Sequence, residues 1–136
     1  MMRFALISLA ALTAGCTAAA TEAPEEMSAT ARTRLADELR GYTAGPTVPC
    51  VSQRDLGGNR SVGEEAIIFE GRGRTIYVNR PPAGCPELTF NRALITRTPS
   101  GRLCRGDIAS VFDPTSGVEY GSCGLGDFTE YRRAPR

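Results

Sequence analysis

Cysteine is the residue type with most chemistry to offer in this chain, which holds five cysteines, sixteen basic residues and no histidine. Every basic residue is Arg, and there is neither Lys nor Trp. A missing imidazole removes the usual general base at neutral pH and the commonest metal ligand. Serine triads, His-Cys dyads and His-bearing zinc sites are therefore excluded. Four cysteines, Cys50, Cys85, Cys104 and Cys123, lie 35, 19 and 19 residues apart. Zinc ribbons and redox centres bring thiols in close C-x-x-C pairs, and no such pair exists here. Two disulfides are the expected state, with no metal and no cofactor. The arrangement favoured is nested, Cys50 with Cys123 and Cys85 with Cys104, tying first strand to last. The other two connectivities stay open.

Cys16 stands apart from that set. It ends the run Leu12-Thr13-Ala14-Gly15-Cys16, after Arg3 and an apolar stretch from Phe4 to Leu12. A charged start, a short apolar segment and small residues before a cysteine read as a bacterial lipoprotein signal, too short to span a bilayer. Thr13 holds the place three before the cysteine where such signals usually carry Leu. Ala18-Ala19-Ala20 offers a rival site for ordinary signal cleavage, which would release a soluble periplasmic protein. Lipidation of Cys16 is the preferred reading, and Thr17 after it, rather than Asp, points to the inner leaflet of the outer membrane. Acyl chains each contribute about 0.8 kcal/mol per buried methylene, and two or three hold a protein on a bilayer almost permanently.

The other polar clusters each have a plainer account. Gly71-Arg72-Gly73-Arg74 is not a phosphate loop, because no helix follows to hold the anion. It reads as a hairpin tip. Arg72 and Arg74 are nonetheless candidate anion-binding residues, since a guanidinium fork suits lipopolysaccharide phosphates or peptidoglycan carboxylates, and Arg54, Arg60, Arg80 and Arg92 could extend the patch. Glu64, Glu65, Asp107, Asp113 and Asp127 could form a hydrolytic acid pair or bind calcium, but their spacing fits no calcium loop. Arg105-Gly106-Asp107 and Asn59-Arg60-Ser61 are chance matches to an adhesion tripeptide and a glycosylation sequon. No catalytic residue is assigned.

Those residues need elements to hold them. Residues 1–16 are read as the signal, 17–29 as an acidic tether rich in Ala, Thr, Pro and Glu, and 30–136 as one domain. A helix begins at Ser28 or Thr30, with Ala31, Leu35 and Leu39 on one face and Gly41 as its left-handed stop. Strands are expected at Val48 to Val51, Ala66 to Phe69, Thr75 to Val78, Ala93 to Thr98, Val118 to Cys123 and Phe128 to Tyr131. Leu103 to Phe112 reads as one strand interrupted at Gly106. The fold class is mainly β, a small antiparallel barrel or sandwich of five to six strands with one N-terminal helix and two disulfides.

The chain resembles a family of small exported proteobacterial lipoproteins with four cysteines, a family of unknown function. The residues carrying the resemblance are Leu39-Arg-Gly-Tyr-Thr-Ala-Gly-Pro46 leading to Cys50, then Tyr77-Val-Asn-Arg80, Cys85-Pro-Glu-Leu88, Leu103-Cys-Arg-Gly-Asp107 and Gly121-Ser-Cys-Gly-Leu-Gly-Asp-Phe128, covering roughly residues 30 to 132. The resemblance implies lipoprotein status and disulfides and brings no catalytic residue.

Sixteen basic residues against fifteen acidic ones, with Arg3 in the signal, leave the mature part formally neutral. Nothing in that total pulls toward nucleic acid. The expected function is a lipid-anchored envelope protein with a non-enzymatic binding or structural role. Its partners would be the membrane, through the N-terminal lipid, and an envelope protein or anionic envelope polymer. The alternatives are an inhibitor or accessory factor of an envelope enzyme, touching it through an exposed hairpin or through Asp127 to Tyr131, and a carboxylate-dependent hydrolase.

Overall fold

A computed structural model describes residues 26–89 and 91–135, so Cys16 and most of the tether lie outside the described residues. Ten strands and one helix follow in the order α1 (Ala29–Glu38), β1 (Tyr42–Val48), β2 (Cys50–Ser52), β3 (Gly58–Val62), β4 (Ala66–Glu70), β5 (Thr75–Asn79), β6 (Ala93–Thr96), β7 (Arg102–Cys104), β8 (Ile108–Phe112), β9 (Glu119–Gly124) and β10 (Phe128–Arg133). They form a five-stranded sheet in the order β1-β10-β5-β4-β3, a β2-β7 pair and a three-stranded sheet β6-β8-β9. All pairings are antiparallel. The sheets stay open, so the expected barrel does not form, and the strands outnumber the expected five to six.

The centre of the large sheet is buried on both faces, and β4 shows why. Ala66, Ile67, Ile68 and Phe69 are all buried, the continuous apolar run of a strand covered on both sides. Successive side chains point to opposite faces. Ala66 and Ile68 therefore pack with Ile76, Val78 and Ala31 beneath α1, while Ile67 and Phe69 join Phe128, Leu103 and Val111 under the two smaller sheets. Ser28 caps α1, its Oγ accepting from the Ala31 N–H at 3.2 Å. Such a cap is worth about 1 kcal/mol. The folded body thus begins before residue 30, since Met27 is buried and Ser28 is bonded into it.

The disulfides are Cys50–Cys104 and Cys85–Cys123. They cross in sequence rather than nest, which overturns the expected pairs Cys50–Cys123 and Cys85–Cys104. The physical reason lies in the strand pairing. First and last strands are already joined, β1 to β10, by backbone hydrogen bonds. Cys50 lies beyond β1, in β2, directly opposite Cys104 of β7. Cys85 is fully buried in the connection after β5 and meets Cys123 on the inner face of β9.

Candidate functional site

A cleft of about 800 Å³ opens where the chain enters the domain, between the start of α1 and the segment Arg80 to Pro86. Gly126, one of its lining residues, is held by Asn79, the buried polar side chain at the end of β5. Asn79 Nδ2 donates to the Gly126 carbonyl at 2.7 Å and the Asp127 carbonyl at 3.3 Å, and its Oδ1 accepts from the Gly126 N–H at 2.9 Å. The amide so pairs with both polar groups of Gly126, as a strand neighbour would. Gly126 has no alternative here: a Cβ would sit 2.3 Å from the Arg80 carbonyl oxygen.

Four acids line this cleft, Glu26, Glu64, Glu65 and Asp127, and the last three are bonded. Glu65 accepts from the Ser28 N–H and hydroxyl, both at 2.6 Å. Glu64 accepts from the Glu87 N–H at 2.8 Å, and Asp127 pairs with Arg105 at 3.3 Å. The Ser28 hydroxyl, then the Ser28 N–H, hold the Glu65 carboxyl below its ordinary value. A general acid needs the opposite shift. Outside the cleft, Asp107 accepts from the Cys104 N–H at 2.7 Å and closes the turn between β7 and β8, which is the work the Arg105-Gly106-Asp107 tripeptide does. Asp113 accepts from the Thr115 and Ser116 N–H groups, which lower its pKa. The candidate carboxylates are thus dispersed into turns, a cap and an ion pair. Among the described residues no group of three His, Cys, Asp or Glu side chains is placed to hold a metal ion.

No family model, curated protein or solved structure matches this chain.

Arg72 and Arg74 stand at the tip of the β4–β5 hairpin, as the sequence indicates, and they diverge. Arg72 donates to the Arg54 carbonyl at 3.2 and 2.9 Å and pairs with Asp55. Arg74 donates to the Ala134 carbonyl at 2.7 Å. Of the arginines expected to extend them, Arg54 meets the tip through its backbone carbonyl. Arg60 is taken by Glu38 and Glu70. Arg80 lines the cleft at the other end of β5, about 20 Å away at strand rise. Arg92 pairs with Glu87 and lies 3.6 Å over the Tyr120 ring. Within the segment Asp127 to Tyr131, Phe128 is fully buried, while Asp127, Thr129 and Tyr131 line the cleft.

Sequence reasoning missed Asn79 and Gly126 as a pair. Both fall in fragments quoted above, Tyr77-Val-Asn-Arg80 and Gly124-Leu-Gly-Asp127. An Asn closing an apolar β-strand was the available signal, because a side chain so placed needs a buried partner.

Proposed function

We propose that this chain is a lipid-anchored, non-enzymatic binding module of the bacterial envelope, related to the four-cysteine exported family it resembles. The supporting observation is that every cysteine after Cys16 is oxidised, with Cys85–Cys123 inside the core. Such pairs persist in oxidising compartments and not in the cytosol. The lipidation signal ending at Cys16 supplies the anchor, and the chain enters the body beside Ser28, leaving the far end of the domain free. The bonded acids of the cleft favour binding over catalysis. Metabolic labelling with palmitate, membrane fractionation and a thiol count test the reading. The expected result is label in the membrane fraction, lost with Cys16→Ser, on a protein without free thiols. Unlabelled protein in the cytosol with four free thiols refutes it.

A second reading, an accessory factor for an envelope enzyme, draws on the β8–β9 hairpin. Ile108, Val118 and Tyr120 are the exposed large hydrophobics among the described residues, and β9 is an edge strand. Apolar patches beside open edges are protein-binding features. In-cell crosslinking from Tyr120 that captures one enzyme and alters its activity would favour this reading.

A further inference from the structure

We propose that the end of the domain opposite the chain's entry is a docking surface for an anionic cell-wall polymer, whose carboxylates are gripped by Arg54, Arg74 and Arg133. This rests on the envelope reading above. The strand registers carry it. Tyr42 opposes Arg133 and Thr75 opposes Arg132, so the start of β1, the end of β10 and the β4–β5 tip meet at one end. There the Arg133 N–H donates to the Arg74 carbonyl at 3.0 Å. The Arg133 guanidinium donates to the Arg40 carbonyl at 3.1 Å and lies 4.5 Å over the Tyr42 ring. Arg72 ties Arg54 to the same tip through the Arg54 carbonyl.

Charge at this end does not cancel. Asp37 is taken by Arg40, Asp55 by Arg72 and Glu130 by Arg132. Arg54, Arg74 and Arg133 have no carboxylate partner among the described residues. Arg60 answers both Glu38 and Glu70, so seven arginines at this end stand against five carboxylates, a surplus of two positive charges in a chain whose formal total is +1. The cleft end has the reverse balance: Glu26, Glu64, Glu65 and Asp127 outnumber Arg80 and Arg105. Guanidinium charges gathered at one end of a domain repel unless anions answer them, and their forks match carboxylates in two-point contact. Arg74 and Arg133 are already aimed by backbone carbonyls, so less side-chain freedom is lost on binding.

Orientation selects the polymer over the bilayer. The chain enters at Glu26 to Ser28, a helix length of about 15 Å from the arginines. A protein held by its start turns its acidic end toward anionic headgroups, which repel it, and its arginines outward. A wall polymer with many carboxylates then binds at several points at once.

The test uses the full chain carrying Cys16→Ser, so that no acyl group takes part, mixed with insoluble peptidoglycan sacculi or with anionic phospholipid vesicles. The expected result is co-sedimentation with sacculi that weakens as salt rises and exceeds binding to vesicles. Combined R54Q, R74Q and R133Q should weaken it about tenfold or more, roughly 1.4 kcal/mol per factor of ten. R80Q with R105Q, at the other end, should not. Arg74 and Arg133 also bond carbonyls, so R54E serves as the variant that leaves those ties intact, and it should weaken binding as well. Unchanged sedimentation of the triple variant and R54E, or a preference for vesicles, overturns the proposal. Because binding is read on unlipidated protein, its failure leaves the palmitate result standing, and loss of palmitate labelling leaves this surface standing.

Discussion

Replacing Asn79 should be among the most damaging single changes this domain can suffer, although the residue touches no ligand. Asn79→Ala strands the Gly126 N–H and carbonyl, both now paired with the side chain at 2.9 and 2.7 Å in a fully buried setting. An unpaired buried polar group costs about 1–3 kcal/mol, so two cost about 4 kcal/mol, before any cavity. Small domains hold only about 5–15 kcal/mol in total, and at about 4–8 °C per kcal/mol the melting temperature should fall by roughly 15–30 °C. Asn79→Leu separates volume from hydrogen bonding: it refills the space, leaves Gly126 unpaired and should be nearly as harmful. Asn79→Asp adds a sign. The carboxylate keeps the Gly126 N–H but faces two carbonyl oxygens, whereas the protonated form can donate to one of them. Its folded pKa is then raised above the unfolded value. The stability it retains is present at acid pH below the unfolded value and is lost as pH rises through the folded one. Urea melts of the oxidised protein, followed by circular dichroism from acid to neutral pH, check all three. A loss under about 1 kcal/mol for Asn79→Ala, or an Asn79→Asp deficit that does not shrink in acid, refutes the reasoning.

Three more outcomes are expected. Non-reduced peptide mapping should recover Cys50 with Cys104 and Cys85 with Cys123; closing loops of 54 and 38 residues contributes about 4 kcal/mol each in the chain-entropy picture, and deleting the buried Cys85–Cys123 pair should cost more than deleting Cys50–Cys104. Glu87 holds a φ of +69°, so E87G should melt above E87A by about 1 kcal/mol, a comparison in which the lost Arg92 ion pair cancels. Glu65, with its pKa lowered by Ser28, supports the start of α1 above the ordinary carboxylate value and loses that role as pH falls through the lowered one. The protection of α1 amides relative to their intrinsic exchange rate should therefore fall in acid in the parent protein, and E65Q should flatten that dependence.

Much of the fold was legible where side chains bear it. The Ser28 cap, the left-handed Gly41 and the β4–β5 hairpin stand where their residue types put them. What escaped notice were the edges. β1 reads Tyr-Thr-Ala-Gly-Pro-Thr-Val and β3 reads Gly-Asn-Arg-Ser-Val, compositions of loops. Both are edge strands of the large sheet, β1 mostly exposed and β3 partly so, where little apolar alternation is demanded, and a shift in register between Ala44 and Thr47 accommodates Pro46. Leu103 to Phe112 reads as one strand but splits between two sheets, because the Asp107 carboxylate bonds back to the Cys104 N–H and turns the chain. The arginine end was half visible. Arg72 and Arg74 lie side by side in sequence at the tip, whereas Arg40 and Arg133 join them only through pairing across the whole chain.

The crossing of the two disulfides governs how this protein can be made. A polypeptide emerging N-terminus first presents Cys50 and Cys85 together before either native partner has arrived. An oxidant working in order of appearance would join those two, then Cys104 to Cys123, and trap a misbridged chain. Maturation therefore calls for thiol exchange after the last strand is out, through mixed disulfides that reshuffle the early bonds. A cell that oxidises this chain without an isomerase should accumulate the wrong isomer.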